Sequence, residues 1–258
     1  IDVRLVGSEM CIRDRAARKL VLPLELLHII DRHQEISAST DHSGAIGVDA
    51  QENLLNQLTE EEGTRARQVR DRGRVFLNGL RQRCEVNETI SVDTRQRYGQ
   101  LLSALEEQQQ DVALYVLGRR GESAAHTRRD LGRHVEMISR QVRRPILTVA
   151  GEFIEPRRAL IAYDGKRMTR RCVELIAKNP ALNDIPVHVI MSGKRATDAD
   201  KHLQWAKNTL NTAGFTVETA YLPGDPEQEI TRAIGERQAD LLVMGAYSRS
   251  PWRSLILG

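Results

Sequence analysis

The residues whose type and spacing could do chemistry are glycines that follow apolar strands. Asp111-Val112-Ala113-Leu114-Tyr115-Val116-Leu117-Gly118 leads into Gly118, Gly121 and Gly132, with Arg133 next. Asp240-Leu241-Leu242-Val243-Met244-Gly245 leads into Gly245, then Ser248 where the first copy has its second glycine, then Gly258. A glycine at the carboxyl end of a parallel strand lets backbone N–H groups approach an anion with no Cβ in the way, and the following helix adds its partial positive charge. Phosphate is the ligand such a turn would hold, and a tight strand-to-helix turn with no ligand fits the same glycines equally well. Ser248 is tolerable where φ is negative, whereas Arg133 at a helix start opposes the dipole unless an anion is bound.

Other candidate groups point away from catalysis. His28 in Leu26-Leu27-His28-Ile29-Ile30 and His188 in Val187-His188-Val189-Ile190 sit inside apolar strands without a neighbouring cysteine or carboxylate cluster, and read as satisfied core residues. Cys11, Cys84 and Cys172 show no CxxC pair and no metal-ligand spacing, so neither a disulfide framework nor a metal site is indicated. No Ser-His-Asp set has a nucleophile elbow to support it. Trp205, Trp252, Tyr163, Tyr221 and Tyr247 read as packing or interface groups, since aromatics total only 4%.

The elements that must position these residues are bounded by composition. With 258 residues and 40% apolar content the chain can build two cores of ordinary size. The net charge of +3 leaves little excess basic character for nucleic acid, although Arg128, Arg129, Arg133, Arg140, Arg143 and Arg144 form a dense basic stretch. No apolar run approaches the roughly 20 residues needed to cross a bilayer, and no signal pattern opens the chain, so a cytoplasmic location is expected. Residues 1–15 read as a non-native leader and are set aside from the fold.

The two histidine strands and the two Asp-to-Gly strands make an internal repeat. Continuous apolar strands alternating with helix-length amphipathic segments imply an α/β fold, two Rossmann-like doubly wound parallel-sheet domains in tandem. In the second half the expected order is strand 159–163, helix 169–178, strand 187–191, helix 198–213, strand 216–221, helix 226–237 and strand 241–244. In the first half it is the His28 strand, a helical region of about 49–83, a strand near 89–92, a helix near 98–109, the Val112 strand, a helix from about Arg133 and a strand at 146–149. His28 to Gly118 spans 90 residues where His188 to Gly245 spans 57, and the charged helical region, read as a projecting helix or a helical hairpin, supplies the difference. The junction is expected at Gly151 to Arg158, giving domains 16–151 and 158–258. The first domain is expected to lack its first strand and the second its last helix and strand.

These motifs resemble the universal stress protein family, whose members use a G-x2-G-x9/10-G-[ST] loop for ATP phosphates. Arg158-Ala159-Leu160-Ile161-Ala162-Tyr163-Asp164-Gly165 resembles the family's first strand, Gly224-Asp225-Pro226 the turn before its third helix, and Arg144-Pro145-Ile146-Leu147-Thr148-Val149 its last strand. The resemblance implies a bacterial stress-response protein with an adenine nucleotide, ATP, held in the second domain. Phosphates would meet the backbone of Gly245, Ser248 and Gly258, and adenosine would meet Asp164 and the backbone of Val189 and Ile190. The first repeat offers weaker counterparts at Gly118, Gly121, Gly132 and Arg133. Asp164 reads equally as a helix cap. The alternative is a nucleotide-free interaction module of the same family, in which the two domains pair within the chain or two chains form a homodimer. An enzyme is not expected, because no general base or metal-binding carboxylate pair is identifiable.

Overall fold

The computed structural model describes residues 16–30, 48–85, 91–118, 130–149, 155–179, 182–194 and 196–245. Residues 1–128 with 142–147 group into one compact unit, and residues 129–141 with 148–258 into another.

In the second unit, β5 (Ala159–Ala162), β6 (Val187–Gly193), β7 (Val217–Pro223) and β8 (Leu241–Met244) form an all-parallel sheet in the order β7-β6-β5-β8. Ala159 is in register with Val187 on one side and Leu241 on the other, and Val187 with Val217. Helices α4 (Arg167–Ala177), α5 (Ala199–Thr212) and α6 (Pro226–Glu236) make the crossovers. Alternation along β5 explains how both sheet faces are dry. Ile161 packs with Val173 of α4 and Leu203, Ala206 and Leu210 of α5, while Leu160 and Ala162 pack with Ile230 and Ala233 of α6. Leu160, Ile161, Val173 and Val189 are fully buried, each contributing about 1.5–3 kcal/mol of transfer free energy. Continuous apolar strands are what a sheet covered on both sides requires.

Local chemistry fixes the start of α6. Gly224 adopts φ +139, Asp225 accepts from the Glu227 and Gln228 amides at 3.1 and 3.2 Å, and Pro226 occupies the first turn. Glu227 and Glu229 add negative charge where the helix dipole favours it.

In the first unit, β1 (Leu24–Ile30) pairs in parallel with β2 (Val92–Tyr98), Leu24 opposite Val92. Their crossover is one continuous helix, α1 (Val48–Glu85), not a hairpin. Leu77, Leu80 and Cys84 of α1 pack on Leu26 and Val92. Gly73 brings the helix close to the strands: a Cβ there would lie 2.2 Å from Gln96 Nε2 and 2.8 Å from the His28 ring. Helix α2 (Leu101–Gln108) follows, then β3 (Tyr115–Gly118), which forms a two-stranded sheet with β4 (Ile146–Val149); helix α3 (Asp130–Gln141), between them in sequence, groups with the second unit, and β4 straddles the division. The structure corrects the expected strand at 89–92 to Val92–Tyr98 and begins α3 at Asp130 rather than Arg133. The β2 residues Asp93 and Arg95 are exposed while Val92 is buried, so this strand has a wet side and carries little of the apolar signal that marks the others.

Candidate functional site

Strand β5 ends at the centre of the four-stranded sheet, and the chain reverses direction across it: β6 and β7 build out on one side, β8 on the other. This is the topological switch point, where the carboxyl ends of neighbouring strands open a crevice. Ala162 is in register with Met244, so Tyr163-Asp164 and Gly245 leave the sheet side by side. The structure therefore brings together two residues, Asp164 and Gly245, that lie far apart in sequence.

The residue between them is Thr169, in the first turn of α4 and only 4% exposed. Its Oγ1 donates to Asp164 Oδ1 at 2.6 Å, and the Lys166 amide donates to the same oxygen at 2.9 Å. Lys166 Nζ stands 3.8 Å from Oδ2, and the Asp164 side chain is 36% exposed. On the other side, a Cβ at Gly245 would be 3.2 Å from Thr169 Cγ2 and 3.6 Å from Met168 Cβ. One carboxylate oxygen is thus fixed by the start of α4, and the other stands near Lys166 Nζ on a partly exposed side chain.

The turn after Asp164 is braced from α5. Gly165 has φ +74, and a Cβ there would meet the His202 ring at 2.8 Å, so both conformation and space demand glycine. Arg170 donates from Nε to the Gly165 carbonyl at 3.0 Å and from Nη2 to His202 Nδ1 at 2.7 Å. Because guanidinium only donates, Nδ1 accepts and the Nε2 hydrogen goes to Asp198 Oδ2 at 2.6 Å. That hydrogen bond holds the Asp198 carboxyl below its usual pKa. The Arg170 guanidinium lies 4.9 Å from the Trp205 ring centroid, and Trp205 stacks on Tyr163 at 6.4 Å. Burial pushes the Tyr163 phenol up, against the nearby Arg170 guanidinium, which lowers it.

The other candidates divide between those placed and those not. Val189 and Ile190 are buried in the middle of β6, paired on both sides, with the Ile190 carbonyl accepting from the Tyr163 amide at 2.8 Å. Their backbone polar groups are thus committed to the sheet. Gly118 ends β3, and Gly132 and Arg133 lie in the first turn of α3. Gly121, Ser248 and Gly258 lie outside the described residues, as do residues 1–15, Tyr247 and Trp252.

Both histidines have hydrogen-bond partners, but only His28 is buried; His188, expected in the core, is half-buried beside charged groups. His28 is 4% exposed, with Nδ1 3.2 Å from Gln96 Nε2. His188 lies near the start of β6, at the opposite end of the sheet from Asp164, and accepts from Arg237 Nη1 at 2.9 Å with Glu218 Oε2 at 3.3 Å. Burial pushes its pKa down, Arg237 lowers it further, and Glu218 opposes both. Burial also pushes the Cys172 thiol up. Among the described residues no His, Cys, Asp and Glu group could hold a metal ion, and no helix is long and apolar enough to cross a membrane. Thr169, Arg170 and His202 were not singled out from the sequence. The available signal was a hydroxyl residue five positions after the strand-terminal Asp164, at the height of the first helical turn.

An α/β unit with a wholly parallel sheet, wound on both faces and opening at its switch point beside an acid and a glycine turn, defines a Rossmann-like class of protein. The model for the universal stress protein family matches residues 156–258. The chain is 32% identical over 245 residues to Universal stress protein Slr1230 of Synechocystis sp., covering 94% of this chain and 85% of that protein. A crystal structure of a universal stress protein from Archaeoglobus fulgidus DSM 4304 is similar in fold, with TM-score 0.63 and 15% identity over 100% of this chain and 87% of that one. The chain belongs to the universal stress protein family.

Proposed function

We propose that the second unit binds an adenine nucleotide, ATP, at the carboxyl ends of β5 and β8, and that occupancy regulates conformation or partner choice in a bacterial stress response instead of driving a reaction. The observation that carries this reading is the adjacency of Asp164 and Gly245 at the topological switch point. Asp164 keeps Oδ2 for a donor on the adenosine, while the backbone of Gly245, continuing through Ser248 to Gly258, is suited to phosphate because no side chain stands at its start. Val189 and Ile190, committed to strand pairing, would contribute through the end of β6 only. The wider proposal is a cytoplasmic protein of two tandem domains, 16–151 and 158–258, joined at Gly151 to Arg158.

A second reading has its own support: Thr169 and the Lys166 amide already satisfy Asp164 Oδ1, as they would in a nucleotide-free interaction module where Asp164 only secures α4. Calorimetric titration of the full chain with ATP, at protein concentrations well above micromolar, separates the two. Saturable heat that disappears in Gly245→Val supports nucleotide binding. Absence of heat from the unaltered protein sinks it.

A further inference from the structure

We propose that Thr169 is the positioning residue of this site, setting both the orientation of the Asp164 carboxylate and the approach of the Gly245 strand end. The inference rests on the nucleotide reading above and extends it to a residue that need not touch the ligand. Two observations on one buried side chain carry it. The hydroxyl gives Asp164 its 2.6 Å hydrogen bond, which, together with the Lys166 amide at 2.9 Å, engages Oδ1 and leaves Oδ2 beside Lys166 Nζ, 3.8 Å away. The methyl group is the nearest atom to the space a Cβ at Gly245 would occupy, 3.2 Å away. Buried at 4% exposure, Thr169 has little room to turn either group elsewhere.

The geometry separates what each half of the side chain does. Valine keeps a branched shape at position 169 but removes the donor, so the Asp164 carboxylate is left with the Lys166 amide and Lys166 Nζ and can turn toward water. Serine keeps the donor and removes the methyl. Gly245 is not in the left-handed region of φ, so alanine there has no backbone strain, and among the described residues its close obstructions are the Thr169 methyl and the neighbouring Met168. The requirement for glycine at 245 is therefore coupled to the identity of residue 169. A requirement arising from direct approach of a phosphate would be indifferent to it.

The test is calorimetric titration of ATP into the full chain and four variants, Thr169→Val, Thr169→Ser, Gly245→Ala and Gly245→Ala with Thr169→Ser, each checked for folding by circular dichroism. Thr169→Val should weaken binding about tenfold, the scale of one lost hydrogen bond to a charged group. Thr169→Ser should stay within about twofold, the donor being retained. Gly245→Ala should weaken binding in the threonine background and regain most of it in the serine background. Unchanged affinity in Thr169→Val, equal losses in the valine and serine variants, or failure of serine to rescue Gly245→Ala overturns the positioning role while leaving nucleotide binding intact. No binding by the unaltered chain overturns both. If Thr169→Val does not fold, the Gly245→Ala pair decides alone, since it retains the donor throughout.

Discussion

The same crossover is built twice in this molecule, once as β1–α1–β2 and once as β6–α5–β7, with helices of 38 and 14 residues. In both, a histidine on the first strand is in register with a polar residue on the second, His28 with Gln96 and His188 with Glu218. The environments then diverge. His28 is sealed beneath Gly73 of the long helix and meets a neutral amide, whereas His188 lies within reach of Arg237 and Glu218. The difference teaches that like strand pairings can sit in unlike surroundings: Gly73 of the crossover helix closes over His28, whereas the charges at His188 come from Glu218 on β7 and from Arg237 at the end of α6. The second unit joins four strands in one sheet and covers both faces of its central strand β5, whereas β1 with β2 and β3 with β4 form separate two-stranded sheets.

Substitutions can sharpen or break this contrast. Leu160→Ala removes a side chain with 0% exposure at the centre of the second unit, and should cost about 2–5 kcal/mol. Hydrogen exchange should show lost protection in β5 to β8 with β1 and β2 little changed; equal losses in both would show that the units do not fold separately. Gly73→Ala attacks the close packing peculiar to the first unit, where the added Cβ falls 2.2 Å from Gln96, and overpacking of this kind costs about 1–3 kcal/mol. The loss should appear in β1 and β2 by the same measurement, and a stabilised first unit, the ordinary result of replacing a helical glycine, would contradict the packing.

Asp225→Ala removes the cap of α6 and should cost the second unit about 1 kcal/mol in urea denaturation, with Asp225→Asn losing less. The smallest effect concerns His188. Its folded pKa lies below the unfolded value near 6.5, so the unfolded chain binds the extra proton first as pH falls. Stability supplied by the neutral ring is complete above that value and is lost as pH drops toward the folded pKa. His188→Gln should flatten the slope of second-unit stability as pH falls through and below about 6.5. An identical slope in the variant would remove His188 as its source.

Legibility followed the same division. Strand β8 lies at 241–244 as its apolar run implied, and β5 through β7 differ from expectation by one or two residues at their ends. Buried parallel strands announce themselves by apolar runs, unbroken in β5 and β8 and interrupted by a few polar residues in β6 and β7. Strand β2 did not, because Asp93, Arg95 and Arg97 occupy its wetter side and leave a pattern closer to loop than to core. The long helix was legible in extent, since Val48–Glu85 carries neither proline nor a clustered turn signal, but not as a single rod, since Gly63, Gly73 and Gly79 allowed a hairpin.

The sequence by itself determined the repeat, the parallel α/β architecture and the acid and glycine at the ends of β5 and β8, because those follow from local hydrophobic pattern and turn chemistry. Only the tertiary structure decided that these two ends meet, that Thr169 stands between them and that Arg170 and His202 brace the Gly165 turn. Strand order is set by how helices cover both faces of the sheet, and contacts between residues so distant along the chain leave no periodic trace in it.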